Sequence, residues 1–165
     1  NDAGEHWRVE LPTWPELKKL PRANDVIAAH FQDTYLKVWS RGGGQLTYDA
    51  KNGDLISTGI FTYDGVLESV YLDGKQELLV YDNGGLVWRC EDEILAQGKL
   101  GGPVQHAVWS HEDQAWRIAG WMEEVFLSAK GFERTIMEEI PVHIMVKNGA
   151  TILLLNNGEW LLSAY

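Results

Sequence analysis

The sequence predicts an all-β chain of four antiparallel β-units, and three observations predict it. An apolar triplet, a small polar residue and a glycine turn recur from residue 26 onward. Corresponding positions in the first and third units, and in the second and fourth, stand at near-constant separations. Each unit is just under 40 residues, too short to hide both of its faces and so obliged to stack on a neighbour.

Residues 1–25 read as a lead-in to one domain spanning 1–165. Trp7-Arg8-Val9-Glu10-Leu11 alternates as a strand does, Thr13-Trp14-Pro15-Glu16 has capping-box spacing, and Pro21 stops any helix soon afterwards. The units follow at about 26–60, 61–100, 101–138 and 139–165. Their punctuation reads Leu46-Thr47-Tyr48-Asp49 before Gly53 and Leu79-Val80-Tyr81-Asp82 before Gly84. It returns as Val125-Phe126-Leu127-Ser128 before Gly131 and Leu153-Leu154-Leu155-Asn156 before Gly158. Asp, Asn and Ser bond their own backbone in turns and Gly accepts positive φ, so each motif is a strand running into a hairpin turn.

Val26 pairs with Val104, Phe31 with Trp109, Val38 with Ile118, Leu46 with Val125 and Gly53 with Gly131, at offsets of 78 to 80. Gly74 pairs with Gly149, Leu79 with Leu153, Asp82 with Asn156 and Gly84 with Gly158, at 74 or 75. A duplicated pair of units accounts for both sets. Segment 104–110, a polar turn, then 115–120 and 125–128 resemble a WD-type β-propeller blade. In that pattern an inner strand ends in an aromatic and Ser, here Trp109-Ser110, and further strands follow a turn. Residues 26–58 are similar, with segments 26–31, 35–40, 45–49 and 54–58. The resemblance covers about 140 residues. It lacks the Trp-Asp dipeptide, carries a kelch-like double glycine only at Gly43-Gly44, and matches the tryptophan-docking blades of quinoproteins only across Asp82, Gly85 and Trp88. It implies a propeller-like arrangement of the four units, a rigid platform whose loops carry the contacts.

The rival reading is α+β, an antiparallel meander with two amphipathic helices. Ala115, Ile118, Ala119, Met122, Val125, Phe126 and Ala129 stand at helical spacing, with Ser110 and Asp113 to cap the start and Gly131 the end. Residues 25–40 place Ile27, Phe31, Tyr35 and Val38 on one helical face. Gly120 would sit in mid-helix at about 1 kcal/mol, and the constant offsets would lose their cause. The all-β reading leads.

Apolar residues make up 45% and charged residues 23%, an ordinary globular balance. No apolar run approaches the roughly 20 residues of a membrane-spanning helix, so a soluble chain with no membrane partner is expected. The net charge of −10 opposes contact with nucleic-acid phosphates and suits a basic protein partner reached by steering. Cys90 is the sole cysteine and makes no internal disulfide, which leans towards a reducing, cytoplasmic compartment. The chain begins Asn1-Asp2-Ala3 without methionine, as a trimmed chain would, and shows no basic-then-apolar signal segment.

No catalytic constellation stands out. His106 lies five residues from His111-Glu112-Asp113, and on a strand an odd separation turns two rings to opposite faces. Cys90 precedes Glu91-Asp92-Glu93, not the positive setting that a reactive thiolate wants. Arg41-Gly42-Gly43-Gly44 runs into a strand, not into the helix that a phosphate loop requires. The adjacent carboxylates of Glu123-Glu124 and Glu138-Glu139 diverge in either secondary structure, so neither pair brackets a substrate.

The eight tryptophans are the compositional excess. Trp39, Trp109 and Trp160 lie within the apolar pattern and are expected in the core. Trp116 and Trp121 fall at turns or edges and are expected to be exposed. The resulting expectation is a non-catalytic protein-interaction or scaffolding module without cofactor or metal. Its binding residues would be Trp116 and Trp121, with Glu112, Asp113, Glu123 and Glu124 steering a basic partner. Four units are few for a closed ring, so closure through residues 7–11, or by another chain in a homo- or hetero-oligomer, is expected. Two other classes suit the composition: a carbohydrate-binding protein, and an acidic inhibitor of immunity type that blocks a basic enzyme.

Overall fold

The computed structural model describes residues 25–61 and 63–163, and every regular element among them is a β-strand. The sequence expectations for residues 1–24 lie outside the described residues. Unit 1 holds β1 (Val26–Gln32), β2 (Tyr35–Ser40), β3 (Gly44–Asp49) and β4 (Leu55–Ile60). Unit 2 holds β5 (Leu67–Asp73), β6 (Gln76–Tyr81), β7 (Gly85–Cys90) and β8 (Glu93–Lys99). Unit 3 holds β9 (His106–Ser110), β10 (Ala115–Gly120), β11 (Glu123–Ser128) and β12 (Gly131–Ile136). Unit 4 holds β13 (Pro141–Lys147), β14 (Ala150–Leu155) and β15 (Trp160–Ser163). Each unit is one antiparallel meander whose strands pair in chain order.

One plan serves all four units. Their second strands begin at Tyr35, Gln76, Ala115 and Ala150, separations of 41, 39 and 35 residues. The motif that punctuates the sequence falls on the third strand of units 1 and 3 but on the second strand of units 2 and 4. That alternation is why the sequence reads as a duplicated pair.

First strands of successive units lie side by side, β1 by β5, β5 by β9 and β9 by β13, and the sheets fan outward from that row. The core lies between sheets. Trp39 of unit 1 packs with Leu67, Leu79, Tyr81 and Val87 of unit 2. Leu78, Val80, Leu86 and Trp88 on the other side of unit 2 pack with Trp109, Trp116, Ile118 and Leu127 of unit 3. Ala119 continues to Ile144, Leu153 and Leu155 of unit 4.

This layering corrects the helical alternative. All six residues of β10 are buried, because one face meets unit 2 and the other unit 4. A strand covered on both faces loses its apolar-polar alternation, and an apolar run then fits a helical period by accident. Gly120, awkward inside a helix, instead ends β10 opposite Glu123.

Candidate functional site

Two rims follow from the meanders. At one end lie the turns joining second to third strands, together with the linkers between units. Backbone bonds of 2.9 Å tie the two, from Phe61 N to Gly43 O, Leu100 N to Gly84 O and Met137 N to Met122 O. The opposite rim carries the remaining turns, including residues 111–114.

The equivalent turns of units 1, 2 and 4 place Gly43, Gly84 and Gly158 at positive φ. At Gly43 a Cβ would stand 2.5 Å from the Phe61 carbonyl oxygen, so no side chain fits. Unit 3 departs from this plan. Its turn is the two-residue Trp121-Met122, and Met122 adopts φ 57° without being glycine. Trp121 is 51% exposed and Met122 40%. Trp121 lies over Gly102, where a Cβ would come within 2.6 Å of its own Cβ.

The expected site residues divide between core, rim and opposite rim. Trp116 is corrected from exposed to buried, at 1%. It faces Trp109 across the β9–β10 pairing with ring centroids 5.6 Å apart, and Trp109 in turn meets Trp88 at 5.2 Å. Glu123 and Glu124 are likewise corrected: both are 2% exposed and cannot steer a partner. Glu123 accepts the Gly101 N–H at 2.7 Å and pairs with Arg134 Nε at 2.8 Å, which fixes the linker beneath Trp121. Glu124 points to the other face, 3.9 Å from Arg117. Arg117 also binds Asp113 at 2.9 Å and stacks 4.4 Å above the Phe126 ring. Burial alone would raise the Asp113 pKa, but the hydrogen bonds from Arg117 and Ser110 and the Arg117 charge hold it below its ordinary value. Glu112 and Asp113 sit on the rim opposite Trp121. Trp160, expected in the core, is 58% exposed.

The exposed acids next along the chain bonded to the Trp121-Met122 turn are Glu138 and Glu139. Both lie in the linker that Met137 bonds to Met122. Sequence reasoning weighed them only as a catalytic pair. Their place on this rim rests on a linker crossing from β12 to β13, which no spacing rule supplies.

Sequence reasoning also missed the crevice between units 1 and 2. A cavity of about 360 Å³ there is lined by Asp25, Arg41, Gly43, Phe61, Tyr63 and Tyr81. The Tyr63 and Tyr81 rings stand 4.5 Å apart. Behind Phe61 the Arg89 guanidinium lies 3.7 Å from the ring centroid, fully buried. It bonds Asp92 at 2.6 Å and Gln45 at 3.2 Å and lies 3.5 Å from Glu77, which binds Lys37 at 3.0 Å. Phe61 and Tyr63 within a linker were the available signal. The described residues hold no group of three or more metal-ligating side chains.

No protein-family model matches the chain, and no curated protein matches it in sequence. Solved structures do match. The β-propeller domain of Swd1 from Myceliophteria thermophila aligns with a TM-score of 0.63 at 11% identity, over 86% of this chain and 52% of that one. The WD40 domain of Neurospora crassa Pan2 aligns with a TM-score of 0.59 at 10% identity, over 90% and 49%. The chain is built of β-propeller blades. Its four units are blades 1 to 4, and they span about half the length of those two chains. The dihydro-heme d1 dehydrogenase NirN also aligns, with a TM-score of 0.59 at 11% identity over 88% and 36%. Blades therefore occur in enzymes as well as in WD40 domains, and at these identities the likeness is one of fold.

Proposed function

We propose that the four blades form a non-catalytic interaction scaffold whose partner, a basic protein segment, is gripped at the Trp121 rim. One observation carries the reading: blade 3 replaces the glycine turn of its neighbours with an exposed Trp121-Met122 hairpin, and the linker bonded to it carries exposed Glu138 and Glu139. A bulky residue held at positive φ is strained, and strain of this kind gathers at functional turns. Tryptophan supplies an apolar anchor, methionine an adaptable surface, and the two carboxylates draw in a cation. The net charge of −10 adds long-range attraction for such a partner.

Affinity capture with the wild type and Trp121→Ala tests this reading, with Trp160→Ala as a second exposed aromatic on another surface. Trp121→Ala is expected to weaken the captured partner at least about tenfold, the scale of a hot-spot residue. Binding that survives Trp121→Ala but not Trp160→Ala would move the contact elsewhere.

The aromatic cavity between blades 1 and 2 favours a second reading, sugar binding against Tyr63, with the buried Tyr81 ring behind it. A glycan array on which Tyr63→Ala abolishes a wild-type signal would support it, and a blank wild-type array would remove it.

A further inference from the structure

Three cavities, of about 360, 240 and 150 Å³, share Phe61 as a wall in the joint between blades 1 and 2. In the joint between blades 2 and 3 the corresponding space is filled. Leu100, tied to Gly84 as Phe61 is to Gly43, is buried in the apolar cluster there. Phe132 lies so close to Gly98 of β8 that a Cβ would stand 2.3 Å from its ring. Gln97, the neighbour of Gly98 on β8 and turned to the other side, borders the 240 Å³ cavity instead. Leu79, Tyr81, Val87 and Arg89 form the buried floor of that cavity, and Ile94 and Gln97 are exposed at its mouth.

The floor holds one unmet donor. Of the three guanidinium nitrogens of Arg89, Nη1 donates to Gln45 at 3.2 Å and Nη2 to Asp92 at 2.6 Å, while Phe61 covers a face of the group at 3.7 Å. Nε is buried without a hydrogen-bond partner. A buried N–H with no acceptor is costly, and a ligand that brings an acceptor removes that cost. Charge selects the kind of acceptor. Lys37 and Arg89 are matched by Glu77 and Asp92, at 3.0 Å for Lys37 to Glu77, 3.5 Å for Arg89 to Glu77 and 2.6 Å for Arg89 to Asp92. A carboxylate ligand would add an unmatched charge to this balanced cluster, in a chain already at −10. A carbonyl oxygen supplies the acceptor without the charge. The Phe61 and Tyr63 rings and the apolar floor suit a flat aromatic body.

We propose that this cavity binds an uncharged, planar aromatic carbonyl compound, its ring on the apolar floor and its oxygen accepting from the Arg89 Nε–H. The site is separate from the Trp121 rim. It shares Phe61, Tyr63 and Tyr81 with the larger cavity read above as a sugar site, but Arg89 borders only this one.

Acetophenone is the probe, followed by NMR through the Arg89 Nε–H and the Leu79 and Val87 methyl signals of the full chain. Saturable shifts of all three are expected, with a dissociation constant of about 1 mM or tighter. Toluene, which keeps the ring and loses the oxygen, and benzoate, which adds the charge, are each expected to bind at least about tenfold more weakly. In Arg89→Met, acetophenone and toluene are expected to bind alike. Ile94→Trp changes only the exposed mouth, so it keeps the test alive if Arg89→Met misfolds, and it is expected to weaken acetophenone at least about tenfold. Trp121→Ala leaves this binding unchanged, so the rim reading and this one fail separately. A wild-type Arg89 Nε–H that does not move at the solubility limit of acetophenone overturns the proposal. So does toluene or benzoate binding as tightly as acetophenone, glucose saturating the same Nε–H signal, or acetophenone binding that Ile94→Trp leaves intact.

Discussion

Blades 2 and 3 meet through three tryptophans, while blades 1 and 2 add a run of charged side chains to the apolar cluster around Trp39. In the first joint Trp88 meets Trp109 at a tilt and Trp109 meets Trp116 edge-on, with Ile118 and Leu127 in the same cluster. In the second, Lys37 crosses to Glu77, Glu77 lies beside the buried Arg89, and Arg89 reaches the exposed Asp92 with Phe61 over its guanidinium. The same blade plan thus tolerates two kinds of glue. Tryptophan packing contributes area without demanding one alignment. A buried ion network contributes little net energy but penalises every misalignment, because each unpaired charge would remain out of water.

Four perturbations break or sharpen that contrast. Trp116→Ala in the apolar joint has the largest expected effect, a loss of about 3–5 kcal/mol in urea denaturation. A loss below about 1 kcal/mol would mean that the tryptophans are not what binds blade 3 to blade 2. Glu77→Ala is expected to cost about 3 kcal/mol by stranding Lys37 and taking one carboxylate from Arg89, which keeps Asp92. Lys37→Met combined with Glu77→Leu should recover part of that cost, and a double variant worse than the sum of its parts would show the network to be a net source of stability. Met122→Gly, which relieves the positive φ, is expected to stabilise by about 1 kcal/mol in the same assay while the rim loses its side chain.

The joint between blades 3 and 4 is expected to respond to acid. His106 and His143 face each other with ring centroids 4.0 Å apart, the Ile144 N–H reaches His106 Nδ1 at 3.5 Å, and Tyr71 stands edge-on to His106. Burial, and then the His143 ring, push the His106 pKa below its ordinary value. A group with a depressed basic pKa folds neutral, so its contribution is complete above the ordinary histidine range near 6.5 and is lost as pH falls below it. The expected outcome is faster exchange of the Ile144 amide, relative to its intrinsic rate, at pH 5.5 than at pH 7.5. His106→Gln should abolish most of that difference, whereas the Trp116 joint should show none.

Much of the fold was legible because hairpin chemistry is local. Segments 26–31, 35–40 and 45–49 lie within β1, β2 and β3, each set off by turn residues. Burial was less legible. Trp116 follows a polar turn and resembles a rim residue, yet β10 lies in the middle of its sheet with a neighbouring sheet on either face. Trp160 shows the reverse: it sits among Leu161 and Leu162 like a core residue, but belongs to the outward row of β15. Glu123 and Glu124 read as surface because their partners, Arg134 and Arg117, are chosen by register and not by spacing. The crevice at Phe61 left only its linker aromatics, Phe61 and Tyr63, as a signal, since its walls come from two units.

β6 belongs to two interiors at once. Leu78 and Val80 serve one neighbour, and Leu79 and Tyr81 the other. A single residue inserted before Leu78 would hand each neighbour the other's side chains, placing Trp39 against surfaces shaped for Trp116. Such a strand can therefore accept substitutions on either face, but not a one-residue shift.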